Sequence, residues 1–176
     1  MNDELFPIVD EQGNVVGCAT RKECHSGSML LHPVVHLHIV SEDGNSIYLQ
    51  QRSLDKKIQP GRWDTAVGGH VDYGESIKDA LIRESREELG VCAANALFVK
   101  QYPFQSSVER ELVHVHYICV GPEFMTTPDA TEVIDARFWS MDDVRANLGK
   151  GIFTPNFESE FMSVLVPAGI VKYEQP

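Results

Sequence analysis

Short runs rich in β-branched and aromatic residues, separated by Gly, Pro, Asn and Asp, dominate the hydrophobic pattern of the chain. Residues 5–9 and 15–20 flank the turn cluster Asp10-Glu11-Gln12-Gly13-Asn14 and predict a β-hairpin. Residues 34–40 predict a strong strand, followed by a turn over 41–45 and a second strand over 47–51. A loop over 56–62 containing Pro60-Gly61 leads into a strand at 63–67, and further strands are predicted over 95–102, 112–120 and 133–139. Helical signals are fewer. Ser76, with Asp79 three residues on, predicts a helix running to about Leu89 and stopped by Gly90. Ser140 caps a short helix through Asn147, closed by Gly149, and Thr154-Pro155 opens a last helix. In that last helix Phe157, Phe161 and Leu165 recur at four-residue spacing. Strands on both sides of a central helix, with another helix near the end, predict an α/β fold: a mixed sheet between helical layers.

At 176 residues, 43% of them hydrophobic, the chain has the size and core of one domain. The pattern divides it into a hairpin extension (1–28), a main domain (29–168) and a tail (169–176). A net charge of −11 with scattered Lys and Arg argues against a polymeric nucleic acid as partner. A small polyanion can still bind if cations bridge it to carboxylates. Cys18, Cys24, Cys92 and Cys119 have no metal-ligand spacing and read as reduced, mostly buried thiols. No leader pattern and no membrane-length apolar stretch is present, so the expectation is a soluble, cytoplasmic protein, monomeric or homodimeric, with no membrane partner.

The chemistry concentrates in residues 69–91. Gly69, Glu75, Arg83, Glu84, Glu87, Glu88, Gly90 and Val91 stand at the spacing G-x5-E-x7-R-E-U-x-E-E-x-G-U, where U is a bulky aliphatic. The seven fixed identities would coincide in roughly one of 10^8 to 10^9 random windows, so the spacing is specific. Ser85 departs from the aliphatic expected there and lies toward the packing side, between Leu81 and Leu89. At 100° per residue, Glu84, Glu87 and Glu88 share an arc of about 100° that borders the face of Ile77 and Leu81. Like charges at that spacing repel, and a divalent cation of the Mg2+ or Mn2+ kind removes the penalty.

This spacing resembles the Nudix box, and the chain is identified as a member of the Nudix superfamily. The resemblance implies an α/β/α sandwich and a metal-dependent attack of water on a pyrophosphate linkage. It implies Glu84, Glu87 and Glu88 as metal ligands, with the backbone carbonyl of Gly68, and Arg83 as the group that orients the acids. Catalytic roles therefore fall on Glu84, Glu87, Glu88 and Arg83, and the cofactor is Mg2+ or Mn2+. The general base stays open among Glu84, Glu109, Glu111 and Glu132.

The flanks carry a second resemblance. The runs F-P-I-V-D-E-Q-G-N-V-V-G, C-H-S-G-S-M-L-L-H and L-Q-Q-R-S-L-D-K-K-I-Q-P-G-R-W-D-T-A-V-G-G-H are similar to the isopentenyl diphosphate isomerase branch of that superfamily. In that branch three histidines and two glutamates bind a metal, which matches His25, His32 and His70 with Glu109 and Glu111. The isomerases also use a Cys in a Cys-Gly-His segment as an acid–base group. Here the segment reads Gly68-Gly69-His70, and the box acids are all kept. The expectation is a hydrolase on an isomerase-like frame, acting on a nucleoside diphosphate derivative or related small diphosphate. The alternatives are an isomerase-type enzyme and a non-catalytic nucleotide-binding domain. The pairs His36/His38 and His114/His116 alternate on strands and read as packing features.

Overall fold

The computed structural model describes residues 4–174; residues 1–3 and 175–176, assigned above to the hairpin extension and the tail, lie outside the described residues. The predicted hairpin is β1 (Leu5–Val9) and β2 (Val15–Thr20), paired antiparallel as a separate two-stranded sheet. The predicted 34–40 strand is longer, as β3 (Leu31–Ser41), and it is the spine of a seven-stranded sheet. β3 pairs with β4 (Ser46–Arg52) near its C-terminal end and with β6 (Val67–His70) near its N-terminal end, both antiparallel. Its other edge runs parallel to β8 (Arg110–Val120) over eleven residue pairs, and β7 (Leu97–Gln105) closes that side. β5 (Trp63–Asp64) and β9 (Val133–Ser140) both pair with β4, so the sheet is mixed as the pattern predicts.

The strand predicted at 63–67 is two strands. Between them the chain leaves the ladder, because Asp64 accepts the Thr65 N–H and the Thr65 hydroxyl donates to the Leu37 carbonyl. That break leaves β5 on β4 and sends β6 to the N-terminal half of β3. A second departure is α1 (Arg21–Cys24), a single turn that the hydrophobic pattern does not announce. Its capping box, Thr20 with Glu23, supplies the two reciprocal bonds that stabilise it.

Helical layers cover both faces. The box helix α2 (Ile77–Leu89) begins at Ser76, whose hydroxyl accepts the Asp79 N–H, and ends at Gly90 with φ of 67°. Its Ala80, Leu81 and Leu89 pack on Val35, Leu37, Ile39 and Val67. Ser85 is buried and donates to the Leu81 carbonyl at 2.6 Å, so the missing aliphatic is a satisfied polar group. The opposite face carries α3 (Met141–Asn147) and α4 (Pro155–Glu160), which continues as a π-helical turn over Phe161–Leu165. Phe153, Phe157, Phe161 and Leu165 pack there against Val40, Ile47 and Leu49. Val171 is buried in the same layer, and the Lys172 N–H donates to the Gly44 carbonyl.

The cysteine expectation needs correction. Cys24 is buried, but Cys18, Cys92 and Cys119 are exposed, and all four are unpaired. Cys92 follows α2 on the solvent side of the turn, beside the Arg86 side chain.

Phe157 lies at 1% exposure among Phe153, Phe161 and His38. Phe157→Ala should therefore cost about 3–5 kcal/mol in a urea unfolding titration, with the m-value unchanged.

Candidate active site

Strand β6 is unusual in having two consecutive glycines at its centre. Because strand residues alternate, Gly69 faces α2 while Gly68 faces the α4 layer. Gly69 stands opposite Val35, and Gly68 opposite His36. A Cβ on Gly69 would lie 2.1 Å from Cδ of Glu84, so that carboxylate occupies the space a side chain would need. A Cβ on Gly68 would lie 3.5 Å from Cδ2 and 3.7 Å from Nε2 of His36.

On the α2 side, Arg83 organises the acids. Its Nε and Nη2 donate to the two oxygens of Glu75 at 2.9 and 2.8 Å, a bidentate pair. Nη1 reaches Glu84 at 2.7 Å and Glu87 at 3.3 Å, and Nη2 also donates to the His70 carbonyl at 3.0 Å. These bonds, led by the pair with Glu75, hold the guanidinium above its ordinary range. Glu88 points elsewhere: it accepts from Gln50 Nε2 at 2.9 Å and from the backbone N–H of Gly68. Burial pushes the Glu88 carboxyl up to about 8, with the charges of Glu84 and Glu132 adding to the push. Burial also raises Glu84, against the pull of Arg83. Glu87 is exposed. The three box carboxylates thus share a helix side but do not converge on one point, since Arg83 takes two and Gln50 the third.

The convergent ligand atoms are on the other face. His25, His32 and His70 offer nitrogens within 4.8 Å of one another, and His32, Glu109 and Glu111 form an overlapping group. His25 follows α1, His32 and Glu111 sit opposite each other on β3 and β8, and His70 ends β6. His25 Nε2 lies 3.1 Å from His70 Nε2 and 3.2 Å from Glu109. Phe6 of the hairpin stacks on the His70 ring at 4.5 Å, covering one side of the group. Burial lowers the pKa of all three histidines, keeping the neutral form that ligates metals. His32 gives Nδ1 to the Leu30 carbonyl, while its buried Nε2 has no partner. An orphaned imidazole nitrogen beside two carboxylates fits a divalent cation. Glu111 is pushed up to about 7 by burial, with Glu109 adding to the effect.

The four candidate bases are therefore split. Glu84 stays with Arg83, Glu109 and Glu111 lie with the histidines, and the exposed Glu132 pairs with Lys56.

One group escaped the sequence reading altogether. Glu160, at 1% exposure, accepts from His36 Nδ1 at 3.0 Å and also bonds His38 Nε2 and the Tyr102 hydroxyl. Burial alone would raise this carboxyl, but His36 and His38 hold it well below its usual range. Burial would likewise lower His36, yet the charge and hydrogen bonds of Glu160 prevail and raise it to about 9. The pair His36/His38 is thus an ionic cluster rather than simple packing. A signal existed, since Glu160 sits between Phe157 and Phe161 on the apolar stripe of its helix.

Residues 30–157 match the model of the NUDIX domain family. An isopentenyl-diphosphate Delta-isomerase from Citrobacter koseri is 33% identical over 150 residues, which is 82% of this chain and 81% of that protein. An uncharacterised Nudix hydrolase from Clostridium acetobutylicum is 30% identical over 66% of this chain and 59% of its own length. A crystal structure from Deinococcus radiodurans superimposes with a TM-score of 0.67 at 22% identity, covering 86% of this chain and 92% of its own, a likeness of fold alone.

The His36–Glu160 pair makes stability depend on pH in a definite direction. The depressed Glu160 contributes above the ordinary carboxylate pKa of 4.5, and that contribution is lost as pH falls. The raised His36 contributes fully below 6.5, and its share is lost as pH rises through 9. Thermal melts from pH 5 to 10 should show wild type losing its advantage over Glu160→Gln between about pH 6.5 and 9. The difference between the two curves isolates the pair, because burial of Glu88 and Glu111 also makes stability fall as pH rises. A constant difference across that range would refute the assignment.

Proposed function

The chain belongs to the Nudix family, in its isopentenyl diphosphate isomerase-like branch, and on that premise we propose that it is a divalent-metal-dependent hydrolase. Its substrate is a nucleoside diphosphate derivative or a related small diphosphate, cleaved at the pyrophosphate linkage. The observation that carries this reading is the strand Gly68-Gly69. Every acid of the box is retained beside it, and no side chain stands at 68, where the isomerase resemblance requires a sulfur.

In this reading Glu84, Glu87 and Glu88, with the carbonyl of Gly68, would hold Mg2+ or Mn2+ once a cation draws together the carboxylates that Arg83 and Gln50 otherwise keep apart. When bound, such ions neutralise phosphoryl oxygens and make a water more acidic. The chain's own residues supply the positioning. Arg83 keeps Glu84 and Glu87 at fixed distances, Glu75 locks Arg83 by accepting from its Nε and Nη2, and Gln50 orients Glu88. Gly69 gives Glu84 the space it fills.

Isomerisation of a diphosphate alkene is the second reading. Its support is the gathering of His25, His32, His70, Glu109 and Glu111, together with relatives named as isomerases. One set of assays separates the readings. Release of phosphate or nucleotide from a panel of nucleoside diphosphate derivatives, with Mg2+ or Mn2+, supports hydrolysis. Solvent deuterium entering isopentenyl diphosphate without phosphate release supports isomerisation. Inactivity in both, with nucleotide still bound, supports a non-catalytic binding domain.

Glu88→Gln should lower metal-dependent turnover by about a hundredfold or more, and near-wild-type turnover would falsify its role as a ligand. Gly69→Ala forces the Glu84 carboxylate off Arg83. It should lower kcat at least about tenfold while the thermal midpoint moves by only a few degrees.

A further inference from the structure

We propose that His36, clamped by Glu160, is a substrate-contacting residue whose Nε2–H donates to a phosphoryl oxygen of a diphosphate lying over Gly68. This deepens the preceding assignment and rests on its diphosphate substrate.

The Glu160 cluster has more than it needs to hold the helix in place. Fastening α4 to the sheet is achieved by His38 and Tyr102, which both bond Glu160, and by Nδ1 of His36. None of these requires the far side of the His36 ring to be open. Yet that ring retains 14% exposure, and its Nε2 meets no protein acceptor among the described residues. Both Glu160 oxygens lie within 3.2 Å of Nδ1, which fixes the ring plane and leaves Nε2 as its presented atom. What Nε2 faces is the glycine on its own side of β6, 3.7 Å from the absent Cβ of Gly68.

The charges around the ring decide between donor and acceptor. Glu160 stands on one side, and Glu111 and Asp64 are close enough for their charges to act on it. A phosphoryl oxygen on the open side would place the ring between two anions, an environment in which both nitrogens carry protons. A histidine so placed is a donor to phosphate and not a base toward water. The neighbouring acids repel a bare diphosphate, so His36 supplies the direct contact where carboxylates depend on cations. Glu160 acts only through His36 and is a positioning residue. The bond at Nδ1 is charge-assisted, and it prevents the ring from rotating away from Gly68.

The test uses inorganic pyrophosphate with Mg2+ and the full chain, so that binding is read without turnover. Titration calorimetry, run well below the melting midpoint that loss of the Glu160 pair lowers, should show folded His36→Gln binding pyrophosphate about ten- to a hundredfold more weakly than wild type. Glu160→Gln should weaken binding in the wild-type background and have no further effect in the His36→Gln background. In wild type, a proton–nitrogen correlation spectrum of the histidine rings should show the His36 Nε2 signal shifting on titration, a readout that needs no variant. Equal affinity of His36→Gln and wild type, an unmoved His36 signal, or no pyrophosphate binding by wild type each overturns the inference. If wild type hydrolyses nothing in the panel yet binds pyrophosphate in a His36-dependent way, the hydrolase reading fails and the His36 contact stands.

Discussion

The close approach of two charged groups to opposite sides of one bare strand is the constraint on which the rest of the site depends. At Gly69 the Glu84 carboxylate takes the volume of a Cβ, and at Gly68 the His36 ring borders the corresponding space on the other face. Any larger residue at 69 displaces Glu84 and with it the Arg83 network that spaces the acids of α2. The strand itself is held by only four residue pairs with β3. Its position is secured by the break at Thr65 and by Val67, which is buried under α2. Backbone hydrogen bonding, a local polar detour and one core contact thus set the geometry of two clusters at once.

Electrostatically the two faces solve the same difficulty in different ways. Three acids and an arginine at the helix side are partly hydrated, so their repulsion is moderated by one cation shared among Glu75, Glu84 and Glu87. Glu160 is buried, and a lone carboxylate there would be prohibitive; it persists because three side chains converge on it. That cluster also joins α4 to β3 and β7, linking the C-terminal helix to the middle of the sheet. The π-helical turn begins directly after Glu160, where the helix relaxes its spacing while Phe161 and Leu165 stay in the core.

Much of this was readable from local sequence. The box helix follows from Ser76, Gly90 and the spacing of its acids, and the hairpin from a turn cluster between two apolar runs. The extra length of β3 was less visible, because His32 and Pro33 weaken the apolar signal at its start. The division of the 63–67 strand was hidden, since Asp64 and Thr65 redirect the backbone through side-chain bonds that propensity does not register. Glu160 and His38 are 122 residues apart, and no periodicity joins them. The exposed Cys92 shows the opposite failure, where residue type suggested burial and its place beyond the helix end decided otherwise. His25, His32 and His70 were found only through resemblance, because their meeting depends on how hairpin, β3 and β6 are assembled.

The segment that matches the NUDIX domain model, residues 30–157, supplies α2, β6 and the acids beside them. His25 and Phe6 come from before that segment, and Glu160 comes from just after it. One side of the bare strand therefore lies wholly within the matched segment, while the other is completed by the residues that flank it. Such a division makes the chemistry modular. A change in either flank reaches Phe6, His25 or Glu160 directly, and the acids of α2 only through the strand between them.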